Sequence, residues 1–172
     1  MSVSPLQLSQ YFVEELSLQI NPDYLPGPEP QFGDVQVAPN GPEHRTDGQK
    51  VLHLVVELRP AEDHWKSFPY MVKIAARGAF LLDGSLEQEE ADRLLLFNGS
   101  AILLGLMRAQ VAQATALCEY GAVWIPTLNL VDLFSSQKDD STPGELSVDA
   151  AHVVVAKPKR KARATAKTEL QE

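Results

Sequence analysis

The residues that could do chemistry are few and do not converge. Four histidines, at 44, 53, 64 and 152, are scattered over loops, a strand and the C-terminal tail without ligand spacing, so each reads as a surface or strand residue. The acidic group Glu87, Glu89, Glu90 and Asp92 has the charge to hold a cation, but a helix's preference for negative charge in its first turn explains most of it. The lone cysteine, Cys118, has no partner for an internal disulfide and sits in a helical pattern as a small hydrophobe; nothing around it suggests a stabilised thiolate. No P-loop, G-x-G-x-x-G, H-E-x-x-H, C-x-x-C or G-x-S-x-G pattern occurs. The chain is therefore expected to be no enzyme and to carry no cofactor or metal.

What stands out instead is apolar. Between Ser100 and Phe134 a strongly apolar helix, expected to stop at Gly121, runs directly into Trp124-Ile125-Pro126-Thr127-Leu128-Asn129-Leu130. Pro126 lacks an N–H and biases Ile125 toward extended geometry, so this arm neither continues the helix nor suits a central strand. A greasy, irregular arm beside an apolar helix needs a cover and makes a plausible wall of a binding groove.

The elements that must position this arm read as strands first and helices last. Leu6, Leu8, Phe12, Leu16, Leu18 and Ile20 alternate with polar neighbours, a half-buried strand of period two. Proline-rich sequence from Asn21 to Pro30 is a loop. A short second strand is expected over Gln31–Ala38, turned out by Pro39-Asn40-Gly41-Pro42. A third runs from Lys50 to Leu58, and a fourth from Phe68 to Leu82, with Gly78 marking a bulge or a close approach. Four strands without intervening helices imply an antiparallel sheet. Ser85 and Gln88 have capping-box spacing for a helix starting near Leu86; Asn98-Gly99-Ser100 is expected to interrupt it, with Ser100 capping a second helix. The expected fold is α+β, a four-stranded antiparallel sheet followed by helices packed on one face.

A chain of 172 residues, 44% hydrophobic and with 12 prolines, suits one domain, taken as residues 1–135, plus a polar and then basic tail over 136–172 that reads as flexible. His152-Val153-Val154-Val155 could add a short strand within that tail. The total charge of −8 hides an asymmetry. Residues 157–172 carry Lys157, Lys159, Arg160, Lys161, Arg163 and Lys167 against Glu169 and Glu172, a balance of +4, which leaves −12 for the remainder. An acidic body disfavours nucleic-acid binding, since phosphate contacts require Lys or Arg. No run of 18 uncharged apolar residues and no signal-like N-terminus occurs, so the expectation is a cytoplasmic protein without an integral membrane segment.

The element order, with three local motifs, resembles the SecB family of bacterial protein-export chaperones. The run from Leu8 to Pro22 is similar to that family's first strand, and Pro69 to Leu82, with Gly78 and Phe80, to its fourth. Ile125-Pro126-Thr127-Leu128-Asn129-Leu130 resembles the family's aromatic-proline-x-leucine-asparagine-leucine crossover, and Leu133-Phe134 its continuation, for a coverage of residues 8–134. The resemblance implies an ATP-independent holdase, a homotetramer built as a dimer of dimers, whose apolar grooves hold unfolded precursor proteins for export. Groove residues would be Trp124, Ile125, Leu128 and Leu130 on the arm with Leu103, Leu106 and Met107 on the helix, methionine being adaptable to varied clients. On the surface that family members present to the export motor ATPase, Glu15 keeps an acidic position, whereas Gln19 and Lys73 replace acids. The basic tail also departs from the family. Two alternatives follow: a SecB-like chaperone dedicated to the antitoxin of a toxin-antitoxin system, or a protein-binding scaffold without chaperone activity.

Overall fold

Alternation of apolar and polar side chains builds the sheet. The structure, a computed structural model, describes residues 4–27, 33–136 and 151–153. Strands β1 (Leu6–Ile20), β2 (Asp34–His44), β3 (Lys50–Arg59) and β4 (Tyr70–Leu82) pair antiparallel, and a short fifth strand, β5 (Ala151–Val153), adds to the outer edge of β2. The order across the sheet is β1-β4-β3-β2-β5. One face is dry: Val35 and Val37 of β2, Leu52, Leu54, Val56 and Leu58 of β3, and Val72, Ile74, Ala76 and Phe80 of β4 are all buried there. At about 1.5–3 kcal/mol for each large apolar side chain removed from water, this face dominates the core.

The α+β class and the order of strands before helices agree with the sequence reading, and the details correct it in several places. β2 does not turn out at Pro39; it runs on to His44 with an irregularity between Asn40 and Glu43, and the reversal comes at Arg45–Gln49, where Arg45 N–H bonds Gln49 O and Gly48 has a φ of 80°. Backbone pairing with Val51 and Lys50 holds this part of β2 in the sheet despite its prolines. Gln31 and Phe32, the expected start of β2, lie outside the described residues, as do Val154, Val155 and the basic residues of the tail.

β1 does not keep one apolar face. Its register against β4 shifts between Leu8 and Gln10 and again between Val13 and Glu15, and each bulge moves the inward positions by one residue. Leu6 and Leu8 therefore lie opposite Leu82 and Phe80 on the dry face, Phe12 lies opposite Arg77 on the wet face, and Leu16, Leu18 and Ile20, opposite Ile74, Val72 and Tyr70, return to the dry side.

Helix α1 (Gln88–Leu94) passes through a π-helical turn, Leu95–Gly99, straight into α2 (Ser100–Ala116). Asn98-Gly99-Ser100 is therefore no break. Gly99 and Ser100 are helical, and Ser100 is fully buried rather than capping. The extra residue of the π turn lets the helix continue at the position where it meets the sheet. A Cβ on Gly99 would come within 3.3 Å of Leu52, and one on Gly78 within 2.8 Å of Leu103, so Gly78 marks a close approach and not a bulge. The capping box is also absent: Ser85 bonds Asp83, and Gln88 bonds Asp92. By length and composition Gln88–Ala116 would suffice to cross a membrane, which the sequence reading had not expected. Its burial of Leu103, Leu104, Met107 and Val111 makes it the helix layer over this sheet.

Helix and sheet are also tied by charge. Lys50 of β3, itself buried, reaches Asp92 of α1 with its Nζ at 2.6 Å from the carboxylate. Burial raises the Asp92 pKa, but the bonds from Lys50 and Gln88 outweigh this and hold it below the ordinary carboxylate value. A depressed folded-state pKa contributes stability that is present above the unfolded value and lost as pH falls through the folded one. Asp92→Asn should therefore lower the urea midpoint at pH 7 and leave little difference from the natural chain near about pH 2, which paired denaturation curves will show. Gly78→Val should cost about 2 kcal/mol by overpacking against Phe80 and Leu103, measured by the same unfolding experiment.

Candidate functional site

α2 carries a single charged residue, Arg108, in seventeen. It faces the chain that follows the helix. The helix ends at Ala116, earlier than the expected stop at Gly121; tighter i to i−3 bonds from Cys118 to Thr115 and from Gly121 to Cys118 carry the chain to Gly121, whose φ of 75° turns it. From Gly121 to Asn129 the backbone has no regular partner. Side chains supply what a sheet would have supplied. Arg108 donates from Nε to Ile125 O at 3.0 Å and from its terminal nitrogen to Pro126 O at 2.5 Å. Thr115 Oγ1 accepts from Val123 N–H at 2.9 Å while donating to Val111 O at 2.8 Å. Tyr70 of β4 accepts from Tyr120 N–H at 3.0 Å and donates to Gly121 O at 3.2 Å; burial raises its phenol pKa.

The arm's far end is capped rather than frayed. Asn129 Oδ1 accepts from Val131 N–H at 3.1 Å and so starts a short helix, α3 (Leu130–Ser136). Leu130 thus belongs to a helix and not to the extended arm. Leu133 and Phe134 are buried, and the Phe134 ring meets Phe97 of the π turn edge-on at 5.5 Å.

The proposed groove residues divide sharply. Leu103 and Met107 are 0% exposed and Ile125 is 2% exposed, so all three belong to the core and lie behind any binding surface of this chain. Each fills the space between helix, arm and sheet. Trp124 is 60% exposed, Leu106 borders solvent, and Leu128 and Leu130 are half-buried against the core. The sequence reading missed the rest of the surface. Val13, Leu16 and Ile20 of β1 point to the helix side of the sheet, yet remain exposed because the helix layer sits over β3 and β4. Ile102 on α2 and Tyr120 at the arm's root are exposed too, and Tyr24, after β1, packs on Tyr120 at 4.8 Å. α2 runs from the level of Phe80 to that of Tyr70, and exposed apolar side chains lie on the strand, the helix and the arm. Arg108, Thr115 and Tyr70, the partners of the arm's backbone, were missed as well, although a lone arginine in so apolar a helix was a usable signal.

On the opposite face, Glu15, Gln19 and Lys73 come together. Glu15 and Gln19 occupy outward positions of β1, and Lys73 Nζ lies 2.9 Å from Glu15 Oε2. Beside them Glu14 pairs with Arg77 at 2.9 Å and with His53 at 3.3 Å.

A four-stranded antiparallel sheet covered by one long helix, with an extended arm returning along that helix, is the SecB-like fold. The comparison of solved structures agrees. The chain superposes with a TM-score of 0.56 on the SecB-like chaperone of Mycobacterium tuberculosis, solved in complex with a ChAD peptide from the HigA1 antitoxin. Identity is 13%, over 73% of this chain and 91% of that one. A Streptococcus agalactiae protein of unknown function aligns at a TM-score of 0.45 and 12% identity, covering 73% of this chain and 100% of its own. No protein-family model and no curated protein matches by sequence.

Arg108→Ala should release the arm from α2. Loss of two charge-assisted bonds, partly replaced by water, predicts a destabilisation of about 2 kcal/mol and faster proteolysis between 121 and 129, readable by urea unfolding and limited digestion.

Proposed function

We propose that this protein is a cytoplasmic, ATP-independent chaperone that holds extended, apolar stretches of unfolded polypeptide. The observation that carries this is the exposure of so many large apolar side chains, Val13, Leu16, Ile20, Ile102, Leu106 and Trp124. A holdase must prefer unfolded to native chain, and large apolar surface on a rigid frame supplies that preference. The neighbour's bound antitoxin peptide supports polypeptide binding by this fold. In this reading Trp124, Leu106, Leu128 and Leu130 contact the client, while Leu103, Met107 and Ile125 support them from below.

The long helix has apolar or small residues all round, including Ala101, Ile102, Gly105, Leu106 and Ala109 on its outward side, which suits burial against further copies as a dimer of dimers. The client is either a general export precursor or a dedicated antitoxin. Lys73, a cation on the face where the resemblance calls for acids toward the motor, and paired there with Glu15, favours the dedicated client.

Stoichiometric protein should suppress light scattering by an aggregating, refolding substrate; undiminished scattering overturns the holdase reading. Trp124→Ala should weaken client binding about tenfold with little change in stability, because the ring is mostly exposed in the free chain. Leu106→Glu should shift the species seen by size-exclusion chromatography toward smaller assemblies. A pull-down with the export motor ATPase that captures neither the natural chain nor Lys73→Glu removes the export branch.

A further inference from the structure

The two edges of the sheet end differently. β1 runs the full length of β4 and is broken by bulges, whereas the edge of β2 is filled by the chain itself. Ala151, His152 and Val153 stand opposite Val37, Gln36 and Val35 in antiparallel register, three residue pairs in all. Beyond them β2 is a poor template: Pro39 and Pro42 have no N–H, and the register is irregular between Asn40 and Glu43. The usable edge is therefore confined to the first residues of β2. Val35 and Val37 on this edge are 0% exposed, and α3 flanks the added strand, so the position combines backbone partners with an apolar wall.

We propose that the outer edge of β2 is a strand-addition site for extended polypeptide, filled in cis by residues 151–153, which a client must displace. This deepens the chaperone reading and rests on it for the identity of the displacing chain. Three residue pairs hold β5, against nine between β2 and β3, so it is the most weakly paired strand of the sheet. Its attachment through residues 137–150 gives it a local concentration that an intermolecular strand must exceed, making the tail a competitor. Any strand in this register puts every second residue on the helix-covered face, opposite Val35 and Val37. The site therefore selects small or apolar residues at alternate positions, a pattern present in the sequence Ala151-His152-Val153. Backbone bonds supply sequence-tolerant affinity, and the two inward positions supply preference.

Two full-length variants test this, both with Cys118→Ala. Gln36→Cys with His152→Cys places thiols on opposed residues of an antiparallel pair, within the Cα separation a disulfide needs. Val153→Pro removes a backbone donor and weakens the pairing. The probes are a fluorescent peptide with the sequence of residues 148–156 and a labelled, reduced and carboxymethylated unfolded protein. Oxidation should cross-link the double-cysteine chain and weaken peptide binding about tenfold relative to the same chain reduced, while Val153→Pro strengthens it about threefold. The unfolded protein should follow the same order. Absence of the cross-link, or equal peptide binding by oxidised, reduced and proline forms, overturns the edge site. Unfolded protein bound equally by all forms keeps the chaperone and removes the edge as its client site. Peptide binding in the expected order with no binding of unfolded protein by any form keeps the edge and overturns the chaperone.

Discussion

An extended segment that belongs to neither helix nor sheet must find partners for its backbone, and here Arg108 provides them. Buried carbonyls left unpaired are costly, and Pro126 removes one of the arm's own donors. One guanidinium, reaching from the helix to Ile125 O and Pro126 O, meets both demands at adjacent residues. A lysine could not span the two with the same fork. Thr115 and Tyr70 repeat the device toward the arm's root, and Asn129 closes it at the other end. With its polar groups directed inward, the arm can leave Trp124 outward. The exposure of Trp124 goes together with this inward satisfaction of the arm's backbone.

The sheet shows the same economy at its edges. β1's two bulges let a long edge strand present apolar residues first to the core, then to the wet face, then beside the helix. Bulges of this kind hinder regular edge-to-edge pairing while leaving side chains available. β2, by contrast, has a short regular stretch at its outer edge, which β5 covers. The helix layer lies over β3 and β4, where Gly78 and Gly99 admit close packing, and this placement leaves the end of β1 uncovered.

Much of the fold was legible because it rests on local periodicity: β1, β3 and β4 were read near their true bounds, and the order of strands before helices followed. Local rules failed where tertiary contacts overrode them. Asn98-Gly99-Ser100 looks like a break, yet packing against Leu52 and Phe80 makes Gly99 the residue that lets the helix pass. Ser85 and Gln88 have the spacing of a capping box, but Asp83 and Asp92 were better partners. Of the groove residues, Trp124 and Leu106 lie at the surface, whereas Leu103, Met107 and Ile125 are core, because helical spacing identifies an apolar face without saying what it faces.

By itself the sequence determined the class of the fold, the existence of an apolar helix and that Pro126 would neither continue that helix nor suit a central strand. These depend on side-chain alternation and on what one residue type permits at its own position. Only the tertiary structure decided which apolar residues are left uncovered, that Arg108 serves the arm, and that residues 151–153 close the β2 edge. Those outcomes depend on register and on pairings between residues far apart in the chain. A one-residue shift in register exchanges the two faces of a strand, and no local pattern records where β1's two shifts fall.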